Sequence, residues 1–579
     1  MVEVLDKVDV VTVGVGWTGG IVASELAKAG YNVVGLERGR HQKQEDFLQT
    51  KDELRFDSRY DLLQNLSKET LTFRNNPDMT ALPMREYGAF HLGTGLGGAG
   101  VHWSGVTWRF LPYDFEIRSQ TIDRYGEEKI PEDMTLQDWG ITYDELEPYY
   151  DKFEKTAGIS GEENPFGGPR SNPYPTPPMK DTAALRLFRD TTEEMGYQPF
   201  MAPSANLSEQ YTNPDGQTIN QCQFCSFCSR YGCDFGAKSD PINTVIPTAE
   251  ETGNYELRTS ANVTEIIHED GEVTGVRYVD LNTGREYEQP AETVALTSYV
   301  LNNVRLLLQS GLGQPYDPEE ETGVIGKNYC YQVEFSGRAF FDKQYNMHMG
   351  AGALGMAIDD FNGDNFDHSD LDFLHGGWIS LRQGGRTPIS SNPVPSGTPG
   401  FGREFKEQSI YNFYRMLSVG TQGASLPNRY NYLDLDPTYT DEFGNPLLRM
   451  TFDFHEQDRN LATFLAERIE NILEEMGGQD ISVNKELGNF DVEPYQSTHN
   501  TGGVIIGDDP ETSAVNSYLQ MWDHDNLFVI GASAFAHNGG YNPTGTVGAL
   551  AYRATEGMIE FLDNGGGQLV TAKNKSKLT

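Results

Sequence analysis

Hydrophobic and polar positions change period several times along the chain, and those changes predict its elements. Residues 8–39 open with the apolar run Val10–Val13, cross a glycine-rich turn, continue as IVASELAKAG and end in YNVVGLE. This order reads as strand, turn, helix, strand. Residues 93–108 form a second glycine-rich stretch, and residues 130–180, rich in Pro, Glu, Asp and Tyr, read as a surface excursion. Between 255 and 313, alternation predicts strands in YELRTSANVTEIIHE, GEVTGVRYVD and ETVALTSYV, then a helix in NNVRLLLQSG. Residues 330–455 mix aromatic and β-branched segments with Gly, Pro and Asp, the pattern of an antiparallel sheet with long loops. Residues 458–477, DRNLATFLAERIENILEEMG, have helical spacing and stop at a glycine pair. Residues 495–562 return to a strand, LFVIGAS, a proline-containing turn and a helix, TVGALAYRATEGMIEFL.

The first of these units carries a specific signal. Gly14, Gly16, Gly19 and Gly20 lie between an apolar strand and a helix, and the following strand ends on Glu37. In a dinucleotide-binding turn the first glycine permits the tight bend, the second lets backbone approach a pyrophosphate, and the third lets helix and strand pack. The free N–H groups at the helix start favour phosphate. Glu37 is placed to accept hydrogen bonds from a ribose diol, and Arg38 follows it at the cofactor. A lone G-x-G-x-x-G is weak evidence; here strand, helix, second strand and terminal acid agree.

Composition narrows the function. The 579 residues carry 85 Asp+Glu against 44 Lys+Arg, for a net charge of −41. Such a surface repels nucleic acid and anionic lipid, so neither is expected as a partner. The basic residues are 17 lysines and 27 arginines, and few lysines among many carboxylates suggest either a generally acidic protein or adaptation to high salt. No apolar run approaches the roughly 20 residues of a membrane span. The opening MVEVLDKVDVVTVGVG is not a secretory signal, so the expected address is cytoplasmic, with export beside a signal-bearing partner left open.

The second glycine block reads G-T-G-L-G-G-A-G-V-H-W-S-G-V-T-W-R over 93–109, and glycine at that density lets backbone lie against a flat or phosphorylated ligand. Here the sequence resembles the glucose–methanol–choline (GMC) family of FAD oxidoreductases, nearest to the branch of gluconate 2-dehydrogenase large subunits and fructose and glucoside dehydrogenases, with pyranose oxidase as a cousin. The resemblance covers nearly the whole chain, most strongly 9–39, 88–110, 221–238 and 495–556. It implies an α/β fold, α+β overall. A Rossmann-like FAD-binding domain would be assembled from 1–115, 201–320 and 486–566. It would be joined by an excursion or lid-like segment at 116–200, a substrate domain on an antiparallel sheet at 321–485, and a disordered tail at 567–579.

The resemblance also assigns roles. Gly97, Gly98, Val263, Pro543 and Thr544 are implied to contact FAD. His102, in V-H-W, matches a histidine that pyranose oxidase joins covalently to flavin; covalent attachment and simple packing beside the ring both stay open. S-T-H499-N-T-G-G and G-G-Y-N542-P-T-G-T match the family's catalytic pair, which faces flavin N5. A neutral imidazole takes an alcohol proton near pH 7, whereas an amide holds the oxygen and orients the C–H bond. His499 is therefore expected as the base and Asn542 as its orienting partner. His537 is a secondary candidate for the pocket, and His524 reads as a surface turn. One departure is V-A-L-T-S-Y-V at 294–300, where the family often has a Gly-Ala step.

Cys222, Cys225, Cys228 and Cys233 form C-x2-C-x2-C-x4-C, while Cys330 stands alone as a small hydrophobe. Clustered thiols suit metal or redox chemistry. Several relatives in this branch carry a [3Fe–4S] cluster, which the resemblance favours here; zinc, free thiols or a disulfide are the alternatives. The expected activity is FAD-dependent oxidation of a hydroxyl on a sugar, sugar acid or polyol. Electrons would leave through the cluster to a cytochrome subunit or quinone, and a small chaperone-like subunit is a further implied partner. The alternatives are a sugar oxidase using O2 and a non-catalytic flavin electron-transfer subunit. Trp378, Arg382, Tyr411 and Tyr414 are candidates for sugar contacts.

Overall fold

A computed structural model describes residues 2–48, 51–85, 92–493 and 498–573. Residues 88–91 and 495–497 of the resembling stretches, and 574–579 of the expected tail, lie outside these.

Two sheets build the frame. The first has a parallel core in the order Tyr255–Thr259, Val33–Glu37, Val8–Val13, Glu286–Leu296, with Leu527–Val529 on the far side of the last strand. Its strands thus come from the first, middle and last parts of the chain. Glu286–Leu296 serves two structures: its C-terminal half pairs in parallel with Val10–Val13, and its N-terminal half pairs antiparallel with Glu272–Asp280. The core strands are apolar on both faces because helices cover them; Val10, Val11, Val33, Val34, Val294 and Leu296 are all buried.

The second sheet is antiparallel throughout: Gln479–Val483, Val333–Phe340, Met416–Gly423, Gly377–Arg382, Gly355–Ile358, Phe200–Met201. The amphipathic helix Glu456–Glu475 covers one face with Leu461, Leu465, Ile469 and Leu473, all buried. The opposite face is left for the site. The antiparallel sheet expected over 330–455 is present, but its edge strands come from outside that range.

The 130–180 segment is more than a surface excursion. Its helix Tyr143–Ala157 starts with a capping box at Thr142 and Glu145. Leu146, Tyr150 and Phe153 then repeat at helical spacing and are buried. They dock on the helix Thr544–Asn564, where Tyr150 Oη lies 2.6 Å from Thr546 Oγ1. Acidic residues on the other face of a half-buried helix account for its polar composition. No helix among the described residues is long and apolar enough to cross a membrane.

Candidate active site

The edges of the two sheets enclose a cavity of about 650 Å³. At one end stands the glycine turn. Gly14 has φ +91°, and a Cβ there would lie 2.8 Å from Ser298 Cα, so the turn needs glycine twice over: for conformation and for contact with the crossing strand. Thr297 Oγ1 locks that crossing by donating to Gly14 O at 2.7 Å, so the departure from the family pattern at 294–300 retains close backbone contact. The helix Trp17–Lys28 begins without a side-chain cap or an acidic residue in its first turn. Its orphan N–H groups and positive end therefore face the cavity uncompensated, as an anionic pyrophosphate requires. Glu37 is buried, its oxygens accepting from Val15 N at 3.0 Å and Gly39 N at 2.8 Å. Burial pushes its carboxyl up, and these N–H groups with Arg38 pull it back. Arg38 itself pairs with Glu69.

Gly14, Gly16, Glu37, Arg38, Gly98, His102, Val263, Asn542, Pro543 and Thr544 all line the cavity. Gly19, Gly20 and Gly97 stand behind its wall: a Cβ at Gly19 would meet Gly14 O at 2.0 Å, which is a packing demand. In the cavity wall, His102 Nε2 is buried without a hydrogen-bond partner among the described residues. Burial, with Lys238 nearby, pulls its pKa down to about 3, so the ring is neutral. An orphaned ring nitrogen, a glycine cradle and an uncapped helix start together fit a large phosphorylated aromatic cofactor.

At the other end His499 and Asn542 meet. Asn542 Nδ2 donates to His499 Nε2 at 2.7 Å, which puts the imidazole proton on Nδ1; Nδ1 faces Glu334 Oε2 at 3.6 Å. Burial raises the Glu334 carboxyl, but His499, Gln422 and Arg382 outweigh it and hold the pKa below the usual range. Glu334 and Gln422 are register partners in the antiparallel sheet, with Gln422 Nε2 donating to Glu334 at 3.2 Å. Sequence reasoning missed both, because a lone acid in V-E-F-S-G carries no mark of its long-range partner.

The loop carrying Asn542 is anchored from behind. Asn538 Nδ2 donates to His499 O at 2.8 Å, Gln332 Nε2 to Tyr541 O at 2.8 Å, and Trp378 Nε1 to Gly540 O at 3.2 Å. Trp378 is therefore a strut outside the cavity lining, and Tyr411 is an exposed surface residue. His537 is fully buried beside Asp114 and His375, the only His/Cys/Asp/Glu triple among the described residues whose ligand atoms all lie within 4.8 Å. Its chemistry argues against a metal. His375 Nδ1 accepts from Gly376 N at 2.8 Å, and His537 Nδ1 from Trp139 Nε1 at 3.1 Å. Both Nε2 atoms therefore carry protons, which they direct at Asp114 Oδ1 at 2.7 and 3.4 Å.

The cysteine expectation requires correction. All five cysteines are free thiols, and no three of the four clustered sulfurs approach within 4.8 Å of one another. Three of the sulfurs accept from the protein instead: Cys222 from Phe224 N at 3.4 Å, Cys233 from Ala237 N at 3.4 Å, Cys228 from Asn206 Nδ2 at 3.9 Å. Burial pushes Cys225 up, Cys222 to about 12 and Cys228 to about 11, away from the thiolate form that metals bind. Neither an iron–sulfur cluster, nor zinc, nor a disulfide is supported. The loop is organised by buried Lys238, whose Nζ donates to Trp103 O, Cys228 O and Tyr231 O at 2.7, 2.9 and 2.7 Å.

Comparison with known proteins agrees with this geometry. Two family profiles, both described as GMC oxidoreductase, match residues 135–334 and 427–551. The chain is 43% identical to the gluconate 2-dehydrogenase flavoprotein of Pantoea cypripedii, over 98% of this chain and 96% of that one. It is 26% identical to the fructose dehydrogenase large subunit of Gluconobacter japonicus, over 96% and 98%. Among solved structures, pyridoxine 4-oxidase from Mesorbium loti shares the fold with a TM-score of 0.58, at 14% identity over 96% of this chain and 99% of that one. A glycine turn, an uncapped helix start and a His–Asn pair at opposite ends of one cavity thus accompany a match along almost the entire sequence, and the chain belongs to the GMC oxidoreductase family, flavoproteins that bind FAD and act on alcohol groups.

Proposed function

We propose that the chain is a dehydrogenase that oxidises a hydroxyl of a sugar, sugar acid or polyol to a carbonyl, with an acceptor other than O2. The observation that carries the alcohol oxidation is the 2.7 Å contact between His499 and Asn542 in the cavity that the nucleotide turn also lines. FAD, when bound, supplies the two-electron acceptor for a hydride. The chain's own residues do the rest. Gly14, Gly16, Glu37 and Arg38 would hold the adenosine end and the pyrophosphate. Gly98, His102, Val263, Pro543 and Thr544 would border the flavin, with His102 either bonded to it or packed beside it.

His499 Nε2 takes the hydroxyl proton, a substrate oxygen replacing the Asn542 contact there. Asn542 then holds that oxygen and fixes the direction of the C–H bond. Glu334 faces Nδ1, keeps the productive tautomer and stabilises the imidazolium once it forms. A non-catalytic electron carrier needs none of this arrangement. The relatives named gluconate 2-dehydrogenase flavoprotein and fructose dehydrogenase large subunit support the substrate range and a dehydrogenase, and the second name supports assembly with another subunit.

Anaerobic addition of a panel of sugars, aldonates and polyols tests the reading. Loss of the flavin absorbance band, recovered by artificial acceptors and not by air, is expected. Fast recovery in air makes it an oxidase, and no bleaching by any hydroxyl compound refutes it. His499→Ala should retain flavin and lose alcohol oxidation by about 10²- to 10⁴-fold; near-normal turnover would remove His499 from the role. Acid precipitation that leaves all yellow colour in the supernatant decides against a bond to His102.

A further inference from the structure

We infer that Arg382 is a carboxylate-binding residue, so that the alcohol oxidised at His499 belongs to a hydroxy acid of the aldonate type and not to a neutral polyol. This rests on the reading of His499 and Asn542 as the oxidising pair and adds a substrate class to it.

Four arginines and no lysine line the cavity. Three are already neutralised by ion pairs: Arg38 with Glu69, Arg230 with Asp57, and Arg305 with Asp441. Arg382 forms no ion pair among the described residues. Its Nη2 donates to Gly352 O at 2.5 Å, the one hydrogen bond its fork makes among the described residues. Burial pulls its pKa below the usual arginine value, and Glu334 is the one charge that pulls it back. Glu334 is committed elsewhere, to Gln422 at 3.2 Å and towards His499 at 3.6 Å.

A half-buried guanidinium in a cavity wall, without a carboxylate partner, is left to take one from a ligand. Its planar fork matches a carboxylate in a bidentate arrangement. Position agrees with this. Arg382 ends the strand Gly377–Arg382, on the sheet that also supplies Glu334 and Gln422, and not on the sheet that carries the glycine turn. Gly355 is its register partner, and Gly352, Gly384 and Gly385 line the cavity with it. Phosphate charge belongs at the far end, with the helix start.

The test uses the flavin-loaded full chain. On the wild-type enzyme, D-gluconate is compared with D-gluconamide, which differs only in lacking the charge, and with D-sorbitol. Arg382→Met and Arg382→Lys are compared on the same substrates, with flavin content and melting temperature measured for each. The expected result is a preference of about 100-fold in kcat/KM for gluconate over the amide. Arg382→Met should abolish that preference by raising KM for gluconate far more than for gluconamide or sorbitol, and be partly rescued by Lys. Succinate, which carries no hydroxyl, should perturb the flavin spectrum of the wild type and not that of Arg382→Met. Equal use of gluconate and gluconamide by the wild type overturns the inference. So does an equal loss on gluconate and sorbitol in Arg382→Met. Bleaching by neutral sugars alone also overturns it while leaving the oxidising pair intact, whereas no bleaching by any substrate means that the pair itself fails.

Discussion

At the residue scale the site turns on one proton position. Asn542 donates to Nε2 of His499, and Glu334 stands 3.6 Å from Nδ1, so the imidazole is presented as a base towards the cavity. Glu334 is held below the usual carboxylate range, so it stays ionised at neutral pH. Glu334→Gln keeps the shape and removes the charge that the imidazolium needs. Turnover should fall by about tenfold or more, with flavin content unchanged, in stopped-flow measurements of flavin reduction. A change below twofold would show that Glu334 only fills space. The roles proposed for His499, Asn542 and Glu37 come from residue type and motif. Glu334 and Gln422 were not, because each acts through a partner far away in sequence, and a polar residue on a strand is ordinarily a solvent-facing one.

At the element scale, helices are placed by buried faces and capped by side chains that double as titratable groups. Asp458, in the first turn of the helix Glu456–Glu475, accepts from His455 N at 2.8 Å, while its Oδ1 is buried without a partner. Burial pushes its pKa from 3.8 up to about 7. The folded state therefore keeps a proton that the unfolded chain releases, and stability falls as pH rises from about 4 to about 7. Asp458→Asn retains the accepting oxygen and removes the ionisation. Its melting temperature should exceed that of the wild type at pH 8 by more than it does at pH 5. A constant difference across that interval would show that the carboxyl is not the source. The 458–477 helix was readable from its periodicity. The docking of Tyr143–Ala157 was not, since a segment rich in Pro, Glu, Asp and Tyr differs from a loop only by its capping box and three apolar positions.

At the scale of the whole molecule, charge is the dominant property. A net charge of −41 produces self-repulsion that favours expanded states. Salt shortens the screening length from about 10 Å at 0.1 M to about 3 Å at 1 M. The melting temperature should therefore rise through that range of NaCl, with flavin retention following it in a thermal scan monitored by flavin fluorescence. A flat or falling curve would separate the acidic composition from adaptation to salt. The cysteine cluster belongs to this scale as well. Its spacing suggested a metal-binding motif, yet the loop folds around Lys238 and three carbonyls, and the thiols become local acceptors. Spacing along a chain sets which sulfurs can approach one another; the surrounding packing sets whether they do.

The sequence by itself determined the nucleotide-binding unit and the family, and it singled out His499 and Asn542, which the fold brings into contact. Each is written in short-range patterns: a glycine turn between strand and helix, an acid at a strand end, a histidine and an asparagine within recognisable loops. Tertiary structure alone decided three things: that Glu334 and Arg382 face the same cavity as His499, that Asp114, His375 and His537 form a proton-filled anchor and not a metal site, and that the four cysteines stand apart. These depend on the pairing of strands from distant parts of the chain and on which polar atoms find partners when water is excluded, neither of which a local pattern encodes.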